Sequence, residues 1–172
     1  MDDPFDLLQI EPGFEIDEAA LQSRFLAQSA QCHPDRFADP LEQADAADRM
    51  SRVTQAYRVL RDPESRARAL LALRGGSAEP GTDAGQALPP DLLMEVMEVR
   101  EAMEEAIASQ DSAALAKLRA WAQGEQSQRL ENIAMLFGQP ASDKNTAAIR
   151  LELNALRYMV RMLEQMPEEG VA

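Results

Sequence analysis

A stretch rich in glycine and proline divides this chain into two parts. It reads GGSAEPGTDAGQALPP and occupies residues 75–90 of 172. Glycine, proline and small polar residues without an apolar repeat are typical of linkers. On both sides apolar residues recur at three- and four-residue steps, and no segment alternates with period two. We therefore predict an all-α protein with an N-terminal domain over 1–75, a linker over 76–90 and a C-terminal three-helix bundle over 91–172.

Charge and composition narrow the classes of partner. The chain has 30 acidic and 17 basic side chains, for a formal net charge of -13. Such a chain repels nucleic acid and anionic membranes, and it suits a partner with a basic patch. Its acidic start and the lack of any apolar run near the roughly 20 residues of a membrane span predict a cytoplasmic protein without signal or anchor. The single cysteine, Cys32, excludes an internal disulfide.

The first part carries the capping signals of a helical domain. Phe5 and its apolar neighbours predict a short leading turn of helix. Asp17 reads as the N-cap of a helix over 18–32, and a longer helix follows over about 41–61. Asp62 and Pro63 have the residue types of an N-cap and a first helical position. They predict a last helix that ends at the glycines at 75 and 76.

The second part predicts three longer helices. The first spans about 91–109, with Asp91 near its cap. The second spans about 112–137 and ends at Gly138 and Pro140. The third spans about 143–166 and ends at Pro167. Short links between long helices favour an antiparallel bundle.

His33-Pro34-Asp35 separates the second and third helices of the first part. Proline disfavours the α region for the residue before it and lacks an N–H, so the tripeptide ends one helix and forms a hairpin tip. His33 is the only histidine in the chain. It can hydrogen-bond through either ring nitrogen, and Asp35 can accept a charge-assisted bond worth about 1.5–3 kcal/mol. Taken alone, the tripeptide is also typical of a solvated helix-loop-helix turn.

An ordered set of motifs over about the first 65 residues resembles the J-domain. The set consists of FDLL at 5–8, HPDRF at 33–37, QAY at 55–57 and LRDP at 60–63. The resemblance implies that the loop binds a DnaK-type chaperone and stimulates its ATPase. The implied contacts are His33, Pro34, Asp35, Arg24 and Arg36. J-domains usually carry a more basic helix before the loop, and arginines on the next helix (Arg49, Arg52, Arg58 and Arg61) offer a replacement.

The helix over 91–109 has too many apolar residues for one face. At about 100° per residue, one narrow arc forms a natural core face; it holds Leu92, Val96, Val99, Met103 and Ile107. A second set falls well outside that arc, nearer the opposite side: Leu93, Met94 and Met97, with Glu98 and Glu101. This second set is either a docking surface for a partner with apolar and basic groups or a face buried by neighbouring helices or by the first part of the chain.

A J-domain, a short linker and an acidic three-helix bundle together resemble the HscB family of iron–sulfur co-chaperones. The runs RARALLAL at 66–73 and LMEVMEVRE at 93–101 carry the resemblance. It implies that the bundle binds the cluster scaffold protein IscU and presents it to an HscA/DnaK-type ATPase. The implied scaffold contacts are Leu93, Met94, Met97, Glu98, Glu101 and Tyr158. The alternative is a general J-domain co-chaperone whose bundle binds clients or dimerises.

Metal binding and acid–base catalysis are the two chemical alternatives to a binding role. Cys32, His33 and Asp35 offer three types of metal ligand, but zinc sites need further cysteines or histidines, so we expect no metal site. An enzyme could use His33 and Asp35 as an acid–base pair. An exposed tip lacks the walls that tune a catalytic pKa, and the chain has no phosphate-binding glycine loop. We predict a protein that is not an enzyme and needs no cofactor.

Overall fold

The computed structural model describes residues 3–75, 88 and 90–167, and this part of the chain is all-helical, without a strand. The helices are α1 (Pro4–Leu8), α2 (Glu18–Gln31), the 3-10 turn η1 (Pro34–Arg36), α3 (Pro40–Arg61), α4 (Pro63–Leu73), α5 (Pro90–Ala108), α6 (Ser112–Phe137) and α7 (Asp143–Gln165). The chain divides into two compact units, Met1–Glu79 and Pro80–Ala172. The all-α class is confirmed, and most of the predicted linker lies outside the described residues.

Aspartates begin most helices of the first unit. The Asp17 carboxylate accepts a hydrogen bond from the backbone N–H of Ala19 at 2.9 Å, and Asp62 accepts one from Ser65 at 2.8 Å. Each satisfies a donor that the first helical turn leaves unpaired, which is worth about 1 kcal/mol. Both predicted N-caps are confirmed, with Pro63 as the first residue of α4.

The core of the first unit lies where α1 and α2 pack on α3. Phe5 and Leu8 are fully buried, as is Leu60 near the end of α3. The rings of Phe25 on α2 and Tyr57 on α3 stack with centroids 4.3 Å apart, and such pairs stabilise by about 0.5–1.5 kcal/mol beyond their buried area. This stack places α2 against α3, so the two helices hold the loop between them.

Arg66 ties α4 to the segment before α2. Its guanidinium carbon lies 5.3 Å from the centroid of the Phe14 ring, which is the geometry of a cation–π contact. Burial lowers the pKa of Arg66 below its ordinary value, while the charges of Asp62 and Glu18 act in the opposite direction. The aromatic face and the two carboxylates together hold this half-buried cation.

The second unit has a core that α5, α6 and α7 share. Its buried residues are Leu92, Val96, Met103, Ala122, Ala155, Met159, Met162 and Met166. The predicted core face of α5 is correct for Leu92, Val96 and Met103, whereas Val99 is only half-buried. The prediction for Ile107 is wrong, because its side chain is 39% exposed and Ala106 is buried instead. Ile107 lies at the edge of the predicted arc and in the last turn of α5, where Ala106 faces the neighbouring helices.

Asn145 closes the hairpin between α6 and α7. Its side-chain amide donates to the carbonyls of Leu136 at 2.8 Å and Pro140 at 3.4 Å. These acceptors lie at the end of α6 and in the following loop, and the Leu136 carbonyl also accepts from the backbone N–H of Gln139 at 3.2 Å. Asn145 is buried, and no pattern in the sequence predicted this role.

A partly buried ion-pair network joins α6 to α7 further along the hairpin. Arg129 pairs with Glu125 at 2.7 Å and with Glu152 on the other helix at 3.4 Å. Because all three side chains are mostly shielded from solvent, their attraction is screened less than that of surface pairs. The network therefore favours one register of α6 against α7.

Several helix ends differ from their predicted positions by about one residue. α5 begins at Pro90, so Asp91 lies inside its first turn rather than at its cap. α2 ends at Gln31, and Cys32 is its C-cap residue.

No helix in the described part of the chain is both long and apolar enough to span a bilayer.

Candidate partner-binding surfaces

Proline and histidine shape the loop between α2 and α3. His33 has extended backbone angles, φ −71° and ψ 126°, as expected for a residue before proline. The next three residues form η1, which begins with Pro34. The backbone N–H of Asp35 donates to Nδ1 of His33 at 3.3 Å. Since Nδ1 is an acceptor there, Nε2 carries the proton of the neutral ring and is its remaining donor.

The two titratable side chains of the loop are accessible to a partner. His33 is 50% exposed and Asp35 is 89% exposed, and Nδ1 lies 3.7 Å from the Asp35 carboxylate. A carboxylate this exposed retains free acceptor positions for a second cation. The loop therefore presents one donor and one anionic acceptor on a tip that Pro34 stiffens.

Arg36 and Arg24 occupy different settings. The Arg36 guanidinium donates to the carbonyl of Ala30 at 2.8 Å, so it satisfies an unpaired acceptor at the end of α2. Arg24 is exposed on α2, nine residues before His33, or roughly 13 Å along the helix axis. The structure thus anchors Arg36 beside the loop and leaves Arg24 at a distance from it.

Cys32 supports the base of the loop. Its thiol is 8% exposed, donates to the carbonyl of Gln28 at 3.1 Å and lies 3.8 Å from the Met50 sulfur. This setting is that of a small buried hydrophobe. Within residues 3–75 and 90–167, no group of three or more histidine, cysteine or acidic side chains could hold a metal ion.

The two faces of α5 differ sharply in burial. Leu93, Met94 and Met97, here called the Leu-Met patch, are 47%, 70% and 64% exposed. Val96, on the opposite arc, is 2% exposed. Glu98 and Glu101 are also exposed. Burial of this face by the neighbouring helices of the bundle is therefore wrong.

Tyr158 reaches the same region from α7. It is half-buried and hydrogen-bonds with the Arg100 guanidinium, an interaction that raises the pKa of Arg100 above its ordinary value, with a further contribution from Glu104. Arg100 follows Met97 by one helical turn, so Tyr158 lies beside the α5 surface. A depression of about 190 Å³ there is lined by Arg100, Met103, Tyr158, Arg161, Met162 and Gln165.

Arg100 and Arg161 were not among the residues predicted for this site. Arg100 belongs to the LMEVMEVRE run, and Arg161 follows Tyr158 by three residues on α7. Residues three apart on a helix are neighbours. Arg100 is three residues after Met97 and Arg161 is three residues after Tyr158, so the spacing from predicted contacts was the available signal for both arginines.

Two family models match the two parts of the chain. The model described as DnaJ domain matches residues 3–69. The model described as HSCB C-terminal oligomerisation domain matches residues 88–166. The helices around the His-Pro-Asp loop and the DnaJ-domain match define a J-domain protein with an added helical bundle.

Relatives and solved structures agree over nearly the whole chain. The chain is 39% identical over 154 residues to the HscB co-chaperone homologue of Burkholderia multivorans, covering 87% of this chain and 85% of the relative. The crystal structure of human HscB matches with a TM-score of 0.82 at 26% identity, covering 96% of this chain and 80% of that one. HscB from Vibrio cholerae matches with a TM-score of 0.75 at 30% identity, covering 95% and 94%. The chain belongs to the HscB family of co-chaperones.

Proposed function

We propose that this protein binds an IscU-type scaffold, delivers it to an HscA/DnaK-type chaperone and stimulates that chaperone's ATPase during iron–sulfur cluster transfer. The observation that carries the proposal is the presence, in one chain, of an exposed His33-Pro34-Asp35 loop and an exposed apolar face on α5. ATP and the cluster belong to the partners, so the chain supplies binding surfaces rather than chemistry.

The loop supplies the contact with the ATPase. Asp35 accepts from an arginine of the partner, and Nε2 of His33 donates to an acceptor nearby. Both groups project from a tip whose backbone Pro34 restricts, so little conformational entropy is lost when the chaperone binds. The Cys32 contacts keep the base of this tip fixed on α2.

The Leu-Met patch and its acidic neighbours supply the contact with the scaffold. Exposed methionines and leucines adapt to an apolar surface, and each contributes about 1–2 kcal/mol when an interface buries it. Glu98 and Glu101 add negative charge, which selects a scaffold surface with basic residues beside its apolar ones. Tyr158 extends the patch as an aromatic anchor on α7.

One chain carries both the scaffold-binding surface and the ATPase-binding loop. It can therefore bring the scaffold to the chaperone as well as stimulate the chaperone's ATPase. A scaffold held on the bundle is at a high effective concentration near an ATPase held by the loop. The same chain can therefore couple arrival of the scaffold to ATP hydrolysis.

A second candidate function is self-association or client binding through the same α5 face. The exposed apolar side chains that suit a scaffold also suit a second copy of this chain, and the family model for residues 88–166 is named for oligomerisation. A client holder binds many unrelated apolar peptides, whereas the scaffold proposal requires preference for one folded protein.

A pull-down with the whole chain as bait tests the choice between these functions. We expect recovery of a cluster scaffold and of a DnaK/HscA-type ATPase, and loss of the scaffold alone when the Leu-Met patch is changed to alanine. Recovery of varied unfolded proteins, with no enrichment of a scaffold, would favour the client-binding alternative. Sedimentation of the purified chain separates dimerisation from both.

A further inference from the structure

On the two helices that flank the loop, the basic residues lie mainly on α3 rather than on α2. Within α2, Arg24 is the only cation, and Arg36 in the loop is bonded to the carbonyl of Ala30. In contrast, α3 carries four exposed arginines, which are Arg49, Arg52, Arg58 and Arg61. A partner with an acidic surface therefore meets most of the accessible positive charge of this region on α3.

These four arginines form two pairs on opposite sides of α3. At about 100° per residue, Arg49 and Arg52 lie about 60° apart, while Arg58 and Arg61 lie about 180° and 120° from Arg49. The buried residues of α3 are Ala46, Val53, Ala56 and Leu60. They fall on the side of Arg49, so this arginine points toward neighbouring helices and yet remains exposed.

A depression next to the loop explains this exposure. Its volume is about 400 Å³, and α1, α2 and α3 all contribute to its walls. Its lining includes Leu7, Gln31, Cys32, Arg49, Arg52 and Val53. Cys32 directly precedes His33, so the two arginines share a cavity with the base of the His33-Pro34-Asp35 loop. The lining does not include Arg58 or Arg61.

We propose that Arg49 and Arg52 form a second docking point for the ATPase chaperone, in which a carboxylate on the chaperone enters this depression while the loop is bound. The inference rests on the proposed function and deepens it. Paired guanidinium groups beside apolar side chains match an acidic residue that is flanked by apolar ones. The positive charges of Arg49 and Arg52 then attract the acidic surface of the chaperone, as the charges of a strongly basic α2 would.

Nearby acids on α3 leave this role intact. Asp45 and Asp48 precede Arg49 and Arg52 by four residues each, which is the spacing of helical ion pairs. Exposed pairs of this kind contribute little, and a guanidinium has five N–H donors. A carboxylate from the chaperone can therefore bind even where an intrahelical pair is present.

The test is a titration of single-turnover ATP hydrolysis by a DnaK/HscA-type chaperone with the whole chain. The first variant combines Arg49→Gln with Arg52→Gln, and the matched control combines Arg58→Gln with Arg61→Gln. Both remove two positive charges from exposed positions on one helix, and glutamine is a good helix former.

We expect the first variant to raise roughly tenfold the concentration of this chain that gives half-maximal stimulation, and to flatten the salt dependence of that concentration. The maximal rate stays unchanged because the loop is intact.

The control variant should shift the half-maximal concentration less than about twofold. Equal shifts in both variants would overturn the inference, because they would reflect net charge alone. No shift in the first variant, with a wild-type chain that stimulates normally, would overturn it while leaving the proposed function standing. A wild-type chain that fails to stimulate would overturn both. A dimer that only the first variant disrupts, with stimulation unchanged, would assign the depression to a second copy of this acidic chain.

Discussion

At the residue scale, the His33-Pro34-Asp35 loop and Asn145 in the α6–α7 hairpin show two different uses of polar side chains. His33 and Asp35 are exposed and bond only locally, so they are available to a partner and support no core. Asn145 is buried and donates to the carbonyls of Leu136 and Pro140, so it joins the end of α6 to the start of α7. Substitutions at the first two positions should alter function without altering stability, and substitution of Asn145 should do the reverse.

Replacing His33 by glutamine should abolish stimulation of the chaperone's ATPase. Glutamine keeps hydrogen-bonding capacity but loses the ring geometry that Pro34 and the Asp35 N–H fix. Single-turnover ATP hydrolysis measures the effect, with helical content and scaffold binding as controls that should not change. Undiminished stimulation by this variant would rule out the mechanism proposed for the loop.

Replacing Asn145 by alanine should destabilise the bundle by about 0.5–1.5 kcal/mol, because the partly buried hydrogen bonds to the Leu136 and Pro140 carbonyls are lost. Asn132→Ala on α6 is the matched control. It removes only an exposed bond to Gln128, and its effect should stay within about 0.5 kcal/mol. Chemical denaturation gives the free energy of unfolding for both. Equal stabilities would mean that solvent already satisfies the Leu136 and Pro140 carbonyls.

At the element scale, local signals predicted the helices and non-local contacts were missed. Asp17, Asp62 and Pro63 act within one helical turn, so the sequence places the starts of α2 and α4 correctly. Asn145 donates hydrogen bonds to carbonyls nine and five positions earlier, and no periodic sequence pattern predicts such contacts. The burial of Ala106 instead of Ile107 depends on where α5 ends against its neighbours, which the helical period alone does not specify.

The two faces of α5 should separate binding from stability. Changing Leu93, Met94 and Met97 together to alanine should lower scaffold affinity at least about tenfold, with little loss of folding stability because all three are exposed. Scaffold titration and chemical denaturation of the same variant measure the two effects.

The opposite arc of α5 provides the internal control. Val96→Ala with Val99→Ala should cost about 1–3 kcal/mol of stability, mostly at the buried Val96, and should leave the affinity of the folded protein intact. A patch variant that loses stability but keeps full scaffold affinity would contradict docking through this face.

At the scale of the whole molecule, the sequence predicted much of the candidate organisation. Ordered motifs in both halves pointed to the HscB family, and the family models and relatives bear this out. The sequence did not predict which residues from different helices meet around the candidate sites. Arg100 beside Tyr158, and Arg49 beside Cys32, come together only because separate helices pack. Residues this far apart in sequence give no spacing pattern to recognise.

The most direct test of the bridging proposal is scaffold-dependent ATP hydrolysis by the chaperone, measured with two complementary full-length variants. One is His33→Gln, which keeps the Leu-Met patch; the other changes Leu93, Met94 and Met97 to alanine and keeps the loop. Wild-type protein should accelerate single-turnover hydrolysis further when scaffold is added at limiting concentration. An equimolar mixture of the two variants should not reproduce this acceleration, because no single chain then joins the scaffold to the ATPase. A mixture as effective as the wild type would contradict the account.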